Sequence, residues 1–187
     1  MSRTYEQDSI AHVVITIDQK GKFNFIDFEL TTGKKIQIAD FYDYETCDSF
    51  SNNFVNTELV KLTGLNFGRG GYKRALTELA TAQSYATAND YRRAWITFNK
   101  IEYRYQGERM FQETKLMITR ELSDSLYLRS LAALIGTFRD DDRLRISRSF
   151  EFYRRSGYTH EAAATLDSLA ALVGESPVIQ RLRSELN

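Results

Sequence analysis

Alternation of apolar and polar residues in the first third of the chain predicts a small antiparallel sheet. Val13, Ile15 and Ile17 are two positions apart, which places them on one face of a strand. A turn at Gly21 leads into a second run at residues 22–30, and a turn at Gly33 leads into a third run that reaches residue 41. Residues 11–42 are therefore predicted to form a three-stranded meander.

The middle strand of this meander departs from simple alternation. Phe23 and Phe25 share one face, whereas Ile26, Phe28 and Leu30 share the other. Two explanations are open, a β-bulge near Phe25 and Ile26 or a strand that is covered on both faces.

An amphipathic stretch follows the predicted meander. It contains Phe54, Val55, Leu59 and Leu62 and ends at Gly64, which predicts a helix over about residues 51–63. Three strands need a partner layer for stability, and this helix is the candidate. We expect residues 1–66 to form this small module and residues 67–187 to form a helical domain.

The rest of the chain carries a repeat of about 34 residues. Turn sequences at Asn89, Ser123 and Gly157 are 34 residues apart, and a second set falls at residues 107, 141 and 174. Two interleaved sets with one period predict three helical hairpins. The predicted helices span about 72–88, 91–105, 109–122, 125–138, 143–156 and 159–173. Ser176 and Pro177 then predict the start of a capping helix. The predicted fold class is α+β.

Part of this helical region resembles the tetratricopeptide repeat. In the first unit the resemblance rests on Ala82, Tyr85, Asn89-Asp90-Tyr91, Ala94 and Phe98. In the third it rests on Tyr153, Gly157 and Ala162, with Leu166 in place of an aromatic residue, whereas the second keeps mainly the period. The family's early Trp and final Pro are absent. A plain antiparallel helical bundle is the alternative.

The resemblance implies a concave groove that binds another protein or a peptide. By analogy with the family, the groove would be lined by Gln83, Thr87, Glu113, Arg120, Glu121, Ser147, Glu151, Arg154 and Arg155. The arginines are suited to bidentate contacts with carboxylates. The alternative is that these are solvated helix charges paired with one another.

A glycine-rich, basic turn precedes the first predicted helix. Arg69, Gly70, Gly71, Lys73 and Arg74 form a candidate anion-binding site, because backbone N–H groups at a helix start and nearby cations favour phosphate. The turn lacks the sequence of a P-loop or a dinucleotide fold. A flexible hinge with a basic edge is the other interpretation.

Charge and composition narrow the function only slightly. The 187 residues contain 25 Lys and Arg and 25 Asp and Glu, with net charges of −3 over residues 1–71 and +3 over residues 72–187. One cysteine, Cys47, excludes a disulfide framework and a cysteine zinc site. The polar start and the lack of a long apolar run favour a cytoplasmic protein with no membrane segment. We expect no cofactor and no bound metal.

Patterns for catalysis are weak. Arg155 and His160 have the Arg-x4-His spacing of helical ribonucleases, but Gly157 predicts a break between them. We therefore expect a non-catalytic adaptor, assembly factor or structural subunit that docks another protein through the groove or a sheet edge. Self-association of this chain in a larger assembly belongs to the same expectation. The alternative is an RNA- or DNA-binding protein that uses the basic turn and the interleaved Arg and Tyr residues of the helices.

Overall fold

The computed structural model describes residues 3–19, 22–31, 35–44, 48–51, 70–138 and 143–186. The strands are β1 (Arg3–Gln7), β2 (Ile10–Gln19), β3 (Lys22–Thr31), β4 (Gln37–Asp43) and β5 (Asp48–Ser49). The helices are α1 (Gly70–Thr87), α2 (Tyr91–Phe98), α3 (Tyr103–Gln106), α4 (Arg109–Arg120), α5 (Asp124–Ile135), α6 (Arg143–Ser156), α7 (Thr159–Val173) and α8 (Pro177–Glu185). The predicted α+β fold class is confirmed.

The strands form one antiparallel sheet in the order β1-β2-β3-β4-β5. The predicted meander corresponds to β2, β3 and β4, while β1 and the two-residue β5 add to its edges. The ladder between β2 and β3 runs without a shift through Phe25 and Ile26, and the register shift lies between Glu29 and Leu30. The broken alternation of β3 therefore reflects apolar side chains on both faces of the sheet.

Contacts divide the chain into two compact units, and the first combines residues 1–57 with residues 146–187. Here one face of the sheet, which we call the inner face, packs against α6, α7 and α8. Val14, Phe25 and Tyr44 share a buried cluster with helical residues such as Leu166 and Ile179. The helices of the third predicted hairpin thus supply the layer that covers this face.

The second unit comprises residues 58–145, and its core joins α1, α2 and α4. Leu79 and Ala82 of α1 pack with Ala94 and Phe98 of α2 and with Phe111 of α4. Helix α1 contacts α2, α4 contacts α5, and both α1 and α2 contact α4, which is the kind of packing that a helical hairpin repeat requires.

Most predicted helix boundaries agree with the structure to within about two residues. Asp90 caps α2, because its side chain accepts a hydrogen bond from the Arg93 N–H. Ser123 caps α5 and Ser176 caps α8 in the same way. Asn89 and Gly157 hold the left-handed backbone of the predicted turns, with φ of 60° and 77°.

The predicted helix over residues 91–105 is wrong, because the chain leaves the helix after Phe98. Asn99 closes α2, and Ile101 in the following bend is buried. The Gln106 amide then donates a hydrogen bond to the Ile101 carbonyl at 2.7 Å. Burial of Ile101 requires the backbone to turn inward, so residues 103–106 form a separate short helix.

Several predictions fall on residues outside those the structure describes. They include the turns at Gly21 and Gly33, the helix predicted over residues 51–63 apart from its first residue, the boundary between residues 66 and 67, and the break at residues 140–142. These stay predictions.

Candidate functional site

The predicted groove residues fall into both units. Those of the second unit are Gln83, Thr87, Glu113, Arg120 and Glu121. The Gln83 amide donates to the Thr114 hydroxyl at 2.9 Å, which joins α1 to α4. The Glu113 carboxylate accepts from the Arg109 guanidinium at 2.8 Å. The last two residues of the set are exposed at the end of α4.

The groove residues of the first unit all lie on α6, where Ser147 is half-buried. The charged members are engaged with acidic residues of the same chain. Arg155 Nε lies 3.4 Å from Glu151 Oε1, and Arg154 Nη1 lies 3.5 Å from Glu185 Oε2. Arg154 and Arg155, which were predicted to bind a partner carboxylate, thus already have carboxylate neighbours.

The candidate anion site, Arg69, Gly70, Gly71, Lys73 and Arg74, lies at the start of α1, and its first residue falls outside the described part of the chain. A Cβ on Gly71 would lie 2.9 Å from Tyr105 Oη and 3.1 Å from Arg104 Nη2. The close approach of the α3 side chains therefore explains why residue 71 is a glycine, and a bound phosphate is not needed to explain it. The Glu102 carboxylate lies 3.5 Å from the same point, and its charge opposes binding of an added anion.

Tyr72 follows the two glycines and connects α1 to the start of α4. Its hydroxyl donates a hydrogen bond to Glu108 Oε2 at 2.9 Å. Burial raises the pKa of Tyr72 to about 12, and the hydrogen bond and charge of Glu108 add to the effect. A second carboxylate thus lies near the predicted anion site.

Arginine side chains account for much of the positive charge of the helices, and many of them form ion pairs. The described pairs include Arg93 with Asp90, Arg104 with Glu102, Arg181 with Asp18, and Arg183 with Asp167 and Glu175. Nucleic acid binding depends on cations that are available to phosphates. Pairing within the chain reduces that availability.

A buried polar network lies on the inner face of the sheet, which the sequence did not reveal. The His12 Nδ1 atom lies 3.1 Å from Asp27 Oδ1, and both side chains are buried. The Tyr5 hydroxyl donates to Asp27 Oδ2, and its ring stacks on His12 with centroids 4.5 Å apart. These residues face α7 and α8, so their first role is to satisfy one another inside the protein.

The opposite face of the sheet, which we call the second face, is apolar as well. Register pairs Ile15 with Ile26, Phe28 with Phe41, and Leu30 with Ile38. Phe41 stacks on Phe50 with ring centroids 5.3 Å apart. Ile38 is 60% exposed and Phe50 is 55% exposed. Adjacent exposed apolar side chains on a sheet are typical of an interaction surface.

The weak catalytic pattern is not assembled on one helix. Arg155 lies near the end of α6, whereas His160 lies at the start of α7, beyond the left-handed Gly157. Among the described residues no group of three or more His, Cys, Asp or Glu could hold a metal ion. None of the helices in the described ranges is long and apolar enough to span a membrane.

Comparisons with protein-family models, with curated proteins and with solved structures find no match to this chain.

Proposed function

We propose that this chain is a non-catalytic protein–protein interaction module that acts as an adaptor, assembly factor or structural subunit. The observation that carries the proposal is the second face of the sheet, where exposed Ile38 and Phe50 adjoin half-buried Phe28 and Phe41. Burying such side chains against a partner is favourable by about 25 cal/mol per Å² of apolar surface.

The inner face of the sheet supports this assignment, because helices of the chain cover it whereas apolar side chains of the second face are exposed. Three helices of the same chain cover it and bury Val14, Phe25 and Tyr44. A sheet whose two faces are both apolar needs a covering layer on each of them. A protein partner bound to the second face meets that need, and the helix predicted over residues 51–63 is the alternative layer from the same chain.

The tetratricopeptide-like groove is a finer form of the same proposal. Packing of α1, α2 and α4 into one core supports a repeat of helical hairpins. Glu113 of the proposed groove already pairs with Arg109, however, and Glu151 with Arg155. Exposed ion pairs contribute little by themselves, so we assign the main docking role to the sheet.

Partner capture with matched variants tests the proposal. The chain is immobilised and incubated with extract from its native source, and bound proteins are quantified by mass spectrometry. We expect a stoichiometric partner that is lost with Ile38→Asp and with Phe50→Asp. Ile96→Asp is the control, because Ile96 is 62% exposed but belongs to α2. It should retain the partner.

Two outcomes would contradict this function. One is equal loss of the partner in all three variants, which indicates general stickiness of apolar surface. The other is salt-sensitive retention on nucleic acid that disappears when Lys73 and Arg74 are changed to Ala, since phosphate contacts weaken steeply with salt. Circular dichroism of each variant checks that the fold is intact.

A further inference from the structure

The turn between β1 and β2 has a strained backbone. Its two central residues are Asp8 and Ser9, and both lie in the left-handed region, with φ of 51° and 65°. Two-residue hairpin turns of this kind favour Asn-Gly, because glycine adopts positive φ without the clash of a Cβ. Neither residue here is glycine, and a serine at positive φ is uncommon. The turn therefore stores strain that an extended backbone would release.

Specific side-chain contacts hold β1 in its position beside β2, which we call the seat of β1. The Tyr5 hydroxyl donates to buried Asp27, and the Tyr5 ring stacks on His12. Arg3 Nη1 donates to the Leu172 carbonyl at 2.9 Å, at the end of α7. Any strand that fills this seat has to supply the same side chains at the same positions. A second copy of this chain does so.

The register of β1 and β2 allows two copies of the chain to exchange their β1 strands. β1 pairs with β2 without a bulge, from Arg3 with Val14 to Gln7 with Ile10. With the turn extended, β1 and β2 become one continuous strand. Two such strands, from two copies, can pair antiparallel in the unchanged register, with Asp8 of each copy opposite Ser9 of the other. Each β1 then lies in the seat of the other copy.

We propose that two copies of this chain exchange β1 and form a strand-swapped dimer. Exchange keeps every contact of the seat and relaxes two strained turns, while it costs the translational and rotational freedom of one molecule. The dimer therefore forms with rising concentration, and slowly, because β1 must leave its seat before it exchanges. This inference does not depend on the proposed function.

Disulfide trapping tests the exchange directly. Thr4 pairs with Val13 across the β1–β2 ladder, so single variants Thr4→Cys and Val13→Cys are made in a Cys47→Ser background. The two proteins are mixed at high concentration, oxidised and analysed by non-reducing mass spectrometry. We expect a covalent dimer of one Thr4→Cys chain with one Val13→Cys chain. Absence of this species from the mixture would overturn the proposal.

A double variant with both cysteines on one chain is the positive control, since it can form the bond whether or not strands exchange. Circular dichroism of the single variants checks that they fold. These controls ensure that a negative result counts against the exchange and not against the chemistry of the site.

Substitutions at the turn supply a second, independent readout. Ser9→Gly removes strain from the closed turn of each monomer and leaves the extended backbone of the dimer unchanged, so we expect the dimer dissociation constant to rise by about tenfold or more. Ser9→Val adds strain to the closed turn and should lower the constant. Analytical ultracentrifugation measures both. A wild-type chain that stays monomeric at high concentration, or constants that do not respond to either substitution, would contradict the proposal.

Discussion

At the scale of single residues, the buried His12 and Asp27 side chains of the sheet are paired with each other. Asp27 is almost fully buried and is held by the Tyr5 hydroxyl and by His12. A buried carboxylate that loses a donor pays for desolvation without compensation. This physical cost places Tyr5, which the sequence analysis did not single out, among the residues that fix the fold.

Replacing Tyr5 by Phe should therefore destabilise the protein by about 1–3 kcal/mol, because a buried acceptor loses its partner. Tyr91→Phe is a matched control, since the Tyr91 hydroxyl donates to Asn89 at an exposed site. It should cost less than about 0.5 kcal/mol. Urea unfolding curves measure both free energies, and equal values for the two variants would refute the role of the network.

Tyr72 should titrate far above its ordinary pKa of 10.0, at about 12. The folded state thus favours the protonated phenol, so the stability this provides is complete below pH 10 and is lost as the pH rises to about 12. NMR of the tyrosine rings measures the titration. Glu108→Gln should lower the pKa but leave it above 10.0, since burial is the largest cause. An unchanged pKa in Glu108→Gln would contradict this explanation.

At the scale of elements, local signals in the sequence were sufficient to predict helix starts, because local hydrogen bonds decide where these helices begin. Ser176 caps α8 as predicted, and Ser123, which was predicted as a turn, caps α5. In both cases the hydroxyl accepts a backbone N–H group within the same turn. β1 was missed because its residues are mostly polar, and it is held by Asp27 and α7, which are distant in sequence. The end of α2 depends on burial of Ile101, which no local signal gives.

Two glycines allow a direct test of backbone strain at helix ends. Gly157 ends α6 with φ of 77°, whereas Gly107 follows α3 with φ of −74°, and a Cβ on either has open space. Gly157→Ala should therefore cost about 1 kcal/mol, while Gly107→Ala should be neutral or stabilising. Thermal unfolding compares the two. Similar losses in both variants would show that the left-handed backbone is not the cause.

At the scale of the whole molecule, the contacts between segments that are distant in the chain could not be predicted from the sequence. The stripe Ala162, Leu166, Leu169 and Val173 on α7 is equally suited to another helix or to a sheet. In the structure these residues pack with Val14 of the sheet. Contacts thus group residues 1–57 with residues 146–187, and no local pattern in either segment predicts that grouping.

Hydrogen exchange of core variants tests this grouping. Leu166→Ala should cost about 2–5 kcal/mol and reduce protection of backbone amides in β2 and β3, which share its core. Leu79→Ala is the matched substitution in the second unit and should reduce protection in α1, α2 and α4. Unchanged exchange in the strands of Leu166→Ala would mean that the sheet does not depend on α7.

The central claim, that the second face of the sheet docks a protein partner, is tested most directly by hydrogen exchange of the chain in complex with the captured partner. We expect slower exchange of amides at residues 26–30 and 37–43, where the apolar side chains of β3 and β4 lie. Protection confined to the helices of the second unit, with the strands unchanged, would contradict the account.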